Sequence, residues 1–192
     1  MLAALLLEDV IRPLLVLHLV LAGALVAATT HHVVWSARYL WGNFGRRRGE
    51  RTLALVAAVL YVATFALGNL LYPTYKVRVR AEYFDDSVAA SADARLRETA
   101  EHTRTTIDPP PGEQRIVSLA WLGHLFDVKE HWVALGLPLV LALLWMSRRL
   151  DLKENRAAVP IFVGMSALVA ALVWAGAIIG IVVTSYRSVG GL

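Results

Sequence analysis

The chain contains no cysteine. That absence removes disulfides, thiolate metal sites, iron–sulfur ligation and covalent c-type haem attachment together, and it says nothing about redox compartment. Charge is also scarce. Only 18% of the 192 residues are Asp, Glu, Lys or Arg, against about 25% in an average soluble domain. There is no P-loop and no GxGxxG, so nothing points to nucleotide binding. No repeat or low-complexity tract is present, and no residue pattern supports hydrolysis. The formal charge of +4 does not read as nucleic-acid binding, because the basic residues lie in clusters between apolar runs, where they report membrane orientation. What the chain has in excess is apolar side chain, 57% of the total, where about 45–50% is usual. Both departures point to a lipid bilayer as solvent.

Three stretches hold no acidic or basic residue: Pro13 to Ala37, Thr52 to Tyr75 and Ala157 to Tyr186. About 20 apolar residues, rising about 1.5 Å each, cross a hydrocarbon core of roughly 30 Å. A fourth run, Trp132 to Ser147, is 16 residues long and covers only about 24 Å. Its helix must therefore begin earlier, near residue 126, and draw Asp127, Lys129, Glu130 and His131 to the interface. The first run is a retained helix and not a signal peptide: Glu8 and Asp9 stand where a basic n-region belongs, and the run is too long for an h-region.

Cationic residues set the orientation. Arg38, Arg46, Arg47, Arg48 and Arg51 lie between the first two runs, against the single acid Glu50, and Arg148, Arg149, Lys153 and Arg156 lie between the last two. The segment from Lys76 to Glu130 carries eight basic and ten acidic residues. Under the positive-inside rule these two short connections, between spans one and two and between spans three and four, face inward and the long segment faces outward. Trp35, Trp41, Trp132 and Trp145 fall near the boundaries, where amphipathic rings favour the headgroup layer. The expected fold is all-α and integral to the membrane. It is an up-down bundle of four transmembrane helices in one domain over 1–192, with spans of about 13–36, 52–75, 126–147 and 157–186. Both termini lie outside, and an exoplasmic loop, 76–125, joins the second and third helices. Within that loop, Val77 to Tyr83 alternates partly like a strand, Val88 to Thr103 has the composition of a surface helix, and Pro109, Pro110 and Pro111 break any helix. Helical spacing resumes over Gln114 to Phe126. In the last span, Gly176 and Gly180 form a GxxxG suited to close helix contact.

Ionisable and metal-ligating groups inside a bilayer are costly, so each requires a reason. His18 and His32 are fourteen residues apart on the first helix, on nearly one face and about 21 Å apart along the axis. Counted from Ser36 and Ser147 as inner edges, His18 and His131 stand at similar heights, about 27 and about 24 Å. Spans one and three sit diagonally in an up-down bundle, so the two imidazoles are expected to meet across its interior. His124, seven residues before His131, is the alternative partner, and Arg78 and Arg80 lie where they could pair with propionates. His31 and His32 equally suit an interfacial or structural role, and at their depth span three offers only Trp145 and Met146, of which the Met can serve as an axial ligand. Asp127 and Glu130 beside His131 form the densest polar cluster at a membrane edge and are candidates for proton or quinone chemistry. A metal site of His124, Asp127 and His131 ranks lower, because three ligands on one helix converge poorly on one ion.

The fourteen-residue histidine spacing in the first helix resembles that of diheme cytochrome b proteins, and the four-helix plan resembles membrane b-type cytochromes more broadly. The match departs from the diheme pattern, since no second His follows His131 by fourteen residues. The resemblance implies a haem b held by His18 and His131, and electron transfer between a quinone pool and an outer-side partner within a larger complex. The expected partners are the lipid bilayer, other membrane subunits and a peripheral redox protein, without nucleic acid. The expected location is a bacterial inner membrane. Two other readings compete: a haem-free accessory subunit bracing a larger complex, and a small transporter or proton channel whose buried polar groups line its path.

Overall fold

A computed structural model describes residues 2–92 and 119–186, with side chains from Val10 onward. Helix α1 runs Leu2–Ala37 and passes into a 3-10 turn, Arg38–Trp41. Gly42 closes that turn at φ 75°, a left-handed conformation that costs glycine little. Helix α2, Arg47–Tyr75, continues directly into a π-helical stretch, Lys76–Phe84. Helix α3 spans Ala120–Arg149, and a 3-10 turn, Arg156–Ala158, leads into α4, Val159–Tyr186. Among the described residues there is no strand, and four helices are long and apolar enough to cross a membrane.

Helix α3 begins at Ala120, inside the segment where helical spacing resumes in the sequence, and carries Asp127, Lys129, Glu130 and His131 in its regular turns. The elements differ from the sequence expectation at two points. Helix α1 begins at Leu2 and carries Pro13 inside it, so the proline does not mark the start of the helix. The strand expected over Val77 to Tyr83 is instead π-helix. Its buried residues Val79, Tyr83 and Phe84 continue the inward face that Leu71 and Tyr75 begin, so helical burial overrides a short alternation. The surface helix expected over Val88 to Thr103 is described only to residue 92, where 87–92 is helical; the proline run and the start of the Gln114 to Phe126 segment lie outside the described residues.

The four helices form a closed ring. Helix α1 packs on α2, α2 on α3, α3 on α4 and α4 on α1, while α1 with α3 and α2 with α4 are the diagonals. Neighbours run antiparallel. Glu50 near the start of α2 meets His32 near the end of α1 and Ser147 near the end of α3, and Thr30 of α1 meets Trp174 of α4. One end of the ring, the basic pole, carries the two short connections with their arginines. The other, the far pole, carries the π-helix and the start of α3.

Inside the ring lie three layers. Tyr39, Leu143, Leu152, Val159 and Phe162 pack at the basic pole. Leu25, Ala58, Tyr61, Val140, Val169 and Val173 fill the middle, and Tyr75, Val79, Phe84, Leu122, Ile179 and Val183 fill the far pole. Apolar residues cover the outside as well: Val16, Leu19, Val20, Leu135, Ile161 and Ile181 are each more than 60% exposed. A surface of that kind suits lipid, in which helix association depends on close packing more than on expulsion of apolar surface. Gly136 admits the Tyr61 ring, whose hydroxyl donates to the Val133 carbonyl at 2.7 Å. A Cβ at Gly176 would touch Val133 at 3.4 Å, so the GxxxG glycines of α4 face α3 within the bundle.

Candidate functional site

The buried polar groups gather at the basic pole. His32 is 1% exposed and lies on the inward face of α1 with Leu25, Ala28, Thr29 and Ser36. Glu50, also 1% exposed, sits in the first turn of α2, where the helix dipole favours a carboxylate. Ser147 comes from the last turn of α3, and Ser166 lies on the inward stripe of α4 with Phe162, Val169 and Val173. Every helix therefore contributes at least one polar side chain to this end of the core, and α1 contributes both His32 and Ser36.

These groups saturate one another. His32 Nε2 lies 3.1 Å from Glu50 Oε1, and His32 Nδ1 lies 2.5 Å from Ser166 Oγ. Ser147 donates to Glu50 Oε1 at 2.7 Å, and the Tyr39 hydroxyl reaches Glu50 Oε2 at 3.4 Å. Ser36 Oγ is 3.3 Å from Ser166 Oγ, and Phe162 meets the His32 ring edge-on with centroids 5.7 Å apart. Satisfaction of this kind is what a polar group in an apolar interior requires. The rim is also tied down. Arg51 Nε donates to the Ser147 carbonyl at 3.1 Å, and Arg47 bonds the Leu150 carbonyl and pairs with Asp151 at 3.0 Å. The Asp151 carboxyl is held below the usual carboxylate range, first by the backbone N–H of Lys153.

A serine, a histidine and a carboxylate in sequence form the outline of a hydrolytic triad, but the chemistry stops there. The α4 backbone N–H groups around Ser166 serve the helix, which leaves no oxyanion donors beside a nucleophile. The gap beside the pair, lined by Thr29, His32, Ala57, Leu143, Ser166 and Val169, is too tight for a water molecule. Proton exchange between His32 and Glu50 needs neither, and the 3.1 Å separation is within its range.

A second polar region lies nearer the far pole. A Cβ on Gly68 of α2 would stand 3.4 Å from His18 Cε1, and one on Gly180 of α4 would stand 3.2 Å from Lys129 Nζ. His18 and Lys129 thus each occupy the notch of a glycine on the neighbouring helix. His18 Nδ1, Thr64 Oγ1 and the Tyr75 hydroxyl are buried without a hydrogen-bond partner. Closer to the pole, Arg80 pairs with Asp127 at 2.5 Å and with Asp85 at 3.5 Å, and Tyr75 stacks on Phe126 with centroids 3.7 Å apart.

The histidine pair expected to hold haem is not brought together. His131 is exposed on the outer surface of α3, and its Nδ1 bonds its own helix at the Asp127 carbonyl, 2.7 Å away. The reason is angular. The inward stripe of α3 runs through Leu122, Gly136, Val140, Leu143 and Ser147, and His131 falls off it. His124 is also exposed, 3.9 Å from Asp127 Oδ2. His32 has both ring nitrogens engaged, and His31 is exposed with Nδ1 on the Ala27 carbonyl. Arg80 is committed to acids of its own chain, and Arg78 is half-buried on the π-helix. Asp127 is held by Arg80, and Glu130 is half-buried one residue beyond Lys129. A haem iron needs a free nitrogen from each of two rings at one level. The His18 ring is turned into the bundle while His131 faces outward, so these two rings do not converge on one iron in this arrangement. Among the described residues no group of three or more His, Asp or Glu side chains is placed to hold a metal ion.

Glu50, Ser36, Ser147 and Ser166 escaped the sequence reading. Glu50 entered it only as the lone acid of a basic connection, although the spacing to Ala54, Ala57, Ala58 and Tyr61 places it on the inward stripe of α2. No family model matches this chain, and no curated protein or solved structure is significantly similar to it.

Proposed function

We propose that this chain handles protons in a membrane, as a small proton channel or proton-coupled transporter, with His32 and Glu50 as the exchanging pair. The observation that carries the reading is the placement of an imidazole and a carboxylate at 1% exposure, 3.1 Å apart, inside four lipid-facing helices. Intramembrane ionisable residues are retained where they serve a pathway or a switch. With His32 neutral and its hydrogen on Nε2, Ser166 donates to Nδ1 and Nε2–H donates to Glu50. A proton delivered to Nδ1 from the Ser166 side releases the Nε2 proton to Glu50, beside Tyr39 at the basic pole. The basic pole faces the cytoplasm by the positive-inside rule, so both chain ends and the 76–125 connection face outward, in a bacterial inner membrane. The middle layer of Leu25, Ala58, Val140, Val169 and Val173 separates this pair from His18, Thr64 and Lys129. Two polar half-paths with a dry layer between them constitute a closed state, and conduction requires that layer to open.

The test is dye-reported proton flux in liposomes containing the purified protein under an imposed potential. Flux above that of empty liposomes is expected, with Glu50→Gln and His32→Gln reducing it at least about tenfold, the lower part of what positioned proton transfer contributes. Flux no greater than in empty liposomes, or flux unchanged by Glu50→Gln, sinks the reading and leaves the accessory-subunit role. An electron-transfer reading rests on one observation, the unpartnered His18 Nδ1. It requires a reduced-minus-oxidised b-type spectrum that His18→Ala abolishes.

A further inference from the structure

We propose that the outer face of α3 at the basic pole binds an anionic phospholipid, with its phosphate on Arg148 and Arg149 and an acyl chain along Leu141, Leu144 and Trp145. These five residues line a shallow, open groove on the outside of the helix. Their positions follow i, i+3, i+4, i+7 and i+8, so they form one stripe that turns from apolar to cationic toward the helix end. At 1.5 Å per residue Arg148 lies about 10 Å beyond Leu141 along the axis. That is the scale over which a phospholipid passes from phosphate to hydrocarbon. Trp145 is 59% exposed and Leu141 47% exposed, and both guanidiniums are exposed.

The charge that would attract such a headgroup is concentrated here. The two connections at this pole carry nine Lys and Arg against Glu50, Asp151 and Glu154. Several of the nine serve the protein itself. Arg47 holds Asp151 and the Leu150 carbonyl, Arg51 holds the Ser147 carbonyl, Arg46 lies over the Trp35 ring and Arg156 over Phe44. Among the described residues no carboxylate pairs with Arg148 or Arg149. Paired guanidiniums suit a phosphate because their donors match its oxygens two at a time. The apolar floor selects lipid over an acidic protein segment, since it continues the lipid-facing surface that includes Leu135. Basic sites beside apolar helix faces on the cytoplasmic side are where anionic headgroups settle.

The experiment is a native mass-spectrometry titration of the detergent-purified full chain with phosphatidylglycerol and with phosphatidylcholine of the same acyl chains. Phosphatidylglycerol is expected to bind more tightly. R148Q/R149Q is expected to weaken it about thirtyfold, the effect of two near-surface arginines, and to leave phosphatidylcholine unchanged. R38Q/K153Q removes the same charge outside the groove and is expected to cost about threefold at most, because those cations act only through the screened field. Circular dichroism checks that both variants fold. Equal affinity for the two lipids overturns the proposal, as do equal losses in the two double variants. Displacement by glycerol phosphate at the same concentration indicates a free-phosphate site, and displacement by an acidic peptide indicates a protein site; either result also overturns it.

Discussion

Removing the His32 imidazole ring leaves the buried Glu50 carboxylate short of a partner. In His32→Ala, Glu50 Oε1 loses its contact at 3.1 Å and keeps only the Ser147 hydroxyl at 2.7 Å, with Tyr39 at 3.4 Å on Oε2. Ser166 loses its 2.5 Å partner, and a cavity opens against Phe162. Stripping one partner from a buried pair costs about 3–5 kcal/mol. For a chain of this size that lowers the melting temperature by roughly 10 °C, at about 2–4 °C per kcal/mol. Replacing both partners with apolar residues of similar volume, His32→Leu with Glu50→Met, leaves no orphan and is expected to fall within about 2 kcal/mol of the parent. The assay is thermal or denaturant unfolding in mixed micelles, followed by circular dichroism as a double-mutant cycle. A loss below about 1 kcal/mol in His32→Ala, or a double variant as damaged as the sum of its singles, refutes the claim that these groups act as a coupled buried pair. The apolar double variant also separates roles, because it is expected to stay folded while carrying no proton flux.

The remaining predictions concern other positions. His131→Ala is expected to change stability by less than about 0.5 kcal/mol in the same unfolding assay, because the ring is exposed and bonds only its own helix. Gly136→Ala forces a Cβ into the Tyr61 ring and disturbs the hydroxyl bond to Val133; a loss of about 1–3 kcal/mol is expected, measured as a lowered melting temperature. Arg80→Gln removes the pairs to Asp127 and Asp85 and is expected to cost about 1 kcal/mol, less in high salt, measured at two ionic strengths.

Much of the scaffold was legible because its signals are long. Runs of more than twenty uncharged residues, interrupted by arginine clusters, leave few alternatives to membrane-length helices, and the short fourth run announced its own extension toward Ala120. The site was less legible because it depends on angle. His31 and His32 differ by one position, about 100° around the helix; one faces outward and the other is sealed inside. His131 has a suitable height and an unsuitable direction, while Lys129, two positions earlier, reaches the Gly180 notch. Glu50 was obscured by its arginine neighbours, and Ser36 and Ser147 served only as markers of membrane depth. Serine in an apolar helix gives a weak signal until a partner on another helix is known. Val77 to Tyr83 failed for a different reason: seven residues are too few to separate a period of two from a helical one.

The last turns of α1 are tied to other helices: Thr30 receives Trp174, His32 bridges Ser166 and Glu50, and Ser36 reaches Ser166. Such a cluster can serve as a pivot for the helix. His18 lies about 18 Å along the shaft from Thr30 at the helical rise. A rocking of about 5° therefore sweeps its imidazole by about 1.6 Å, roughly the radius of a water molecule, while the fixed end hardly moves. Tilting of α1 about that cluster would displace His18 more than twice as far as Leu25, which lies about 7.5 Å from Thr30 at the helical rise, with His32 and Glu50 close to the pivot.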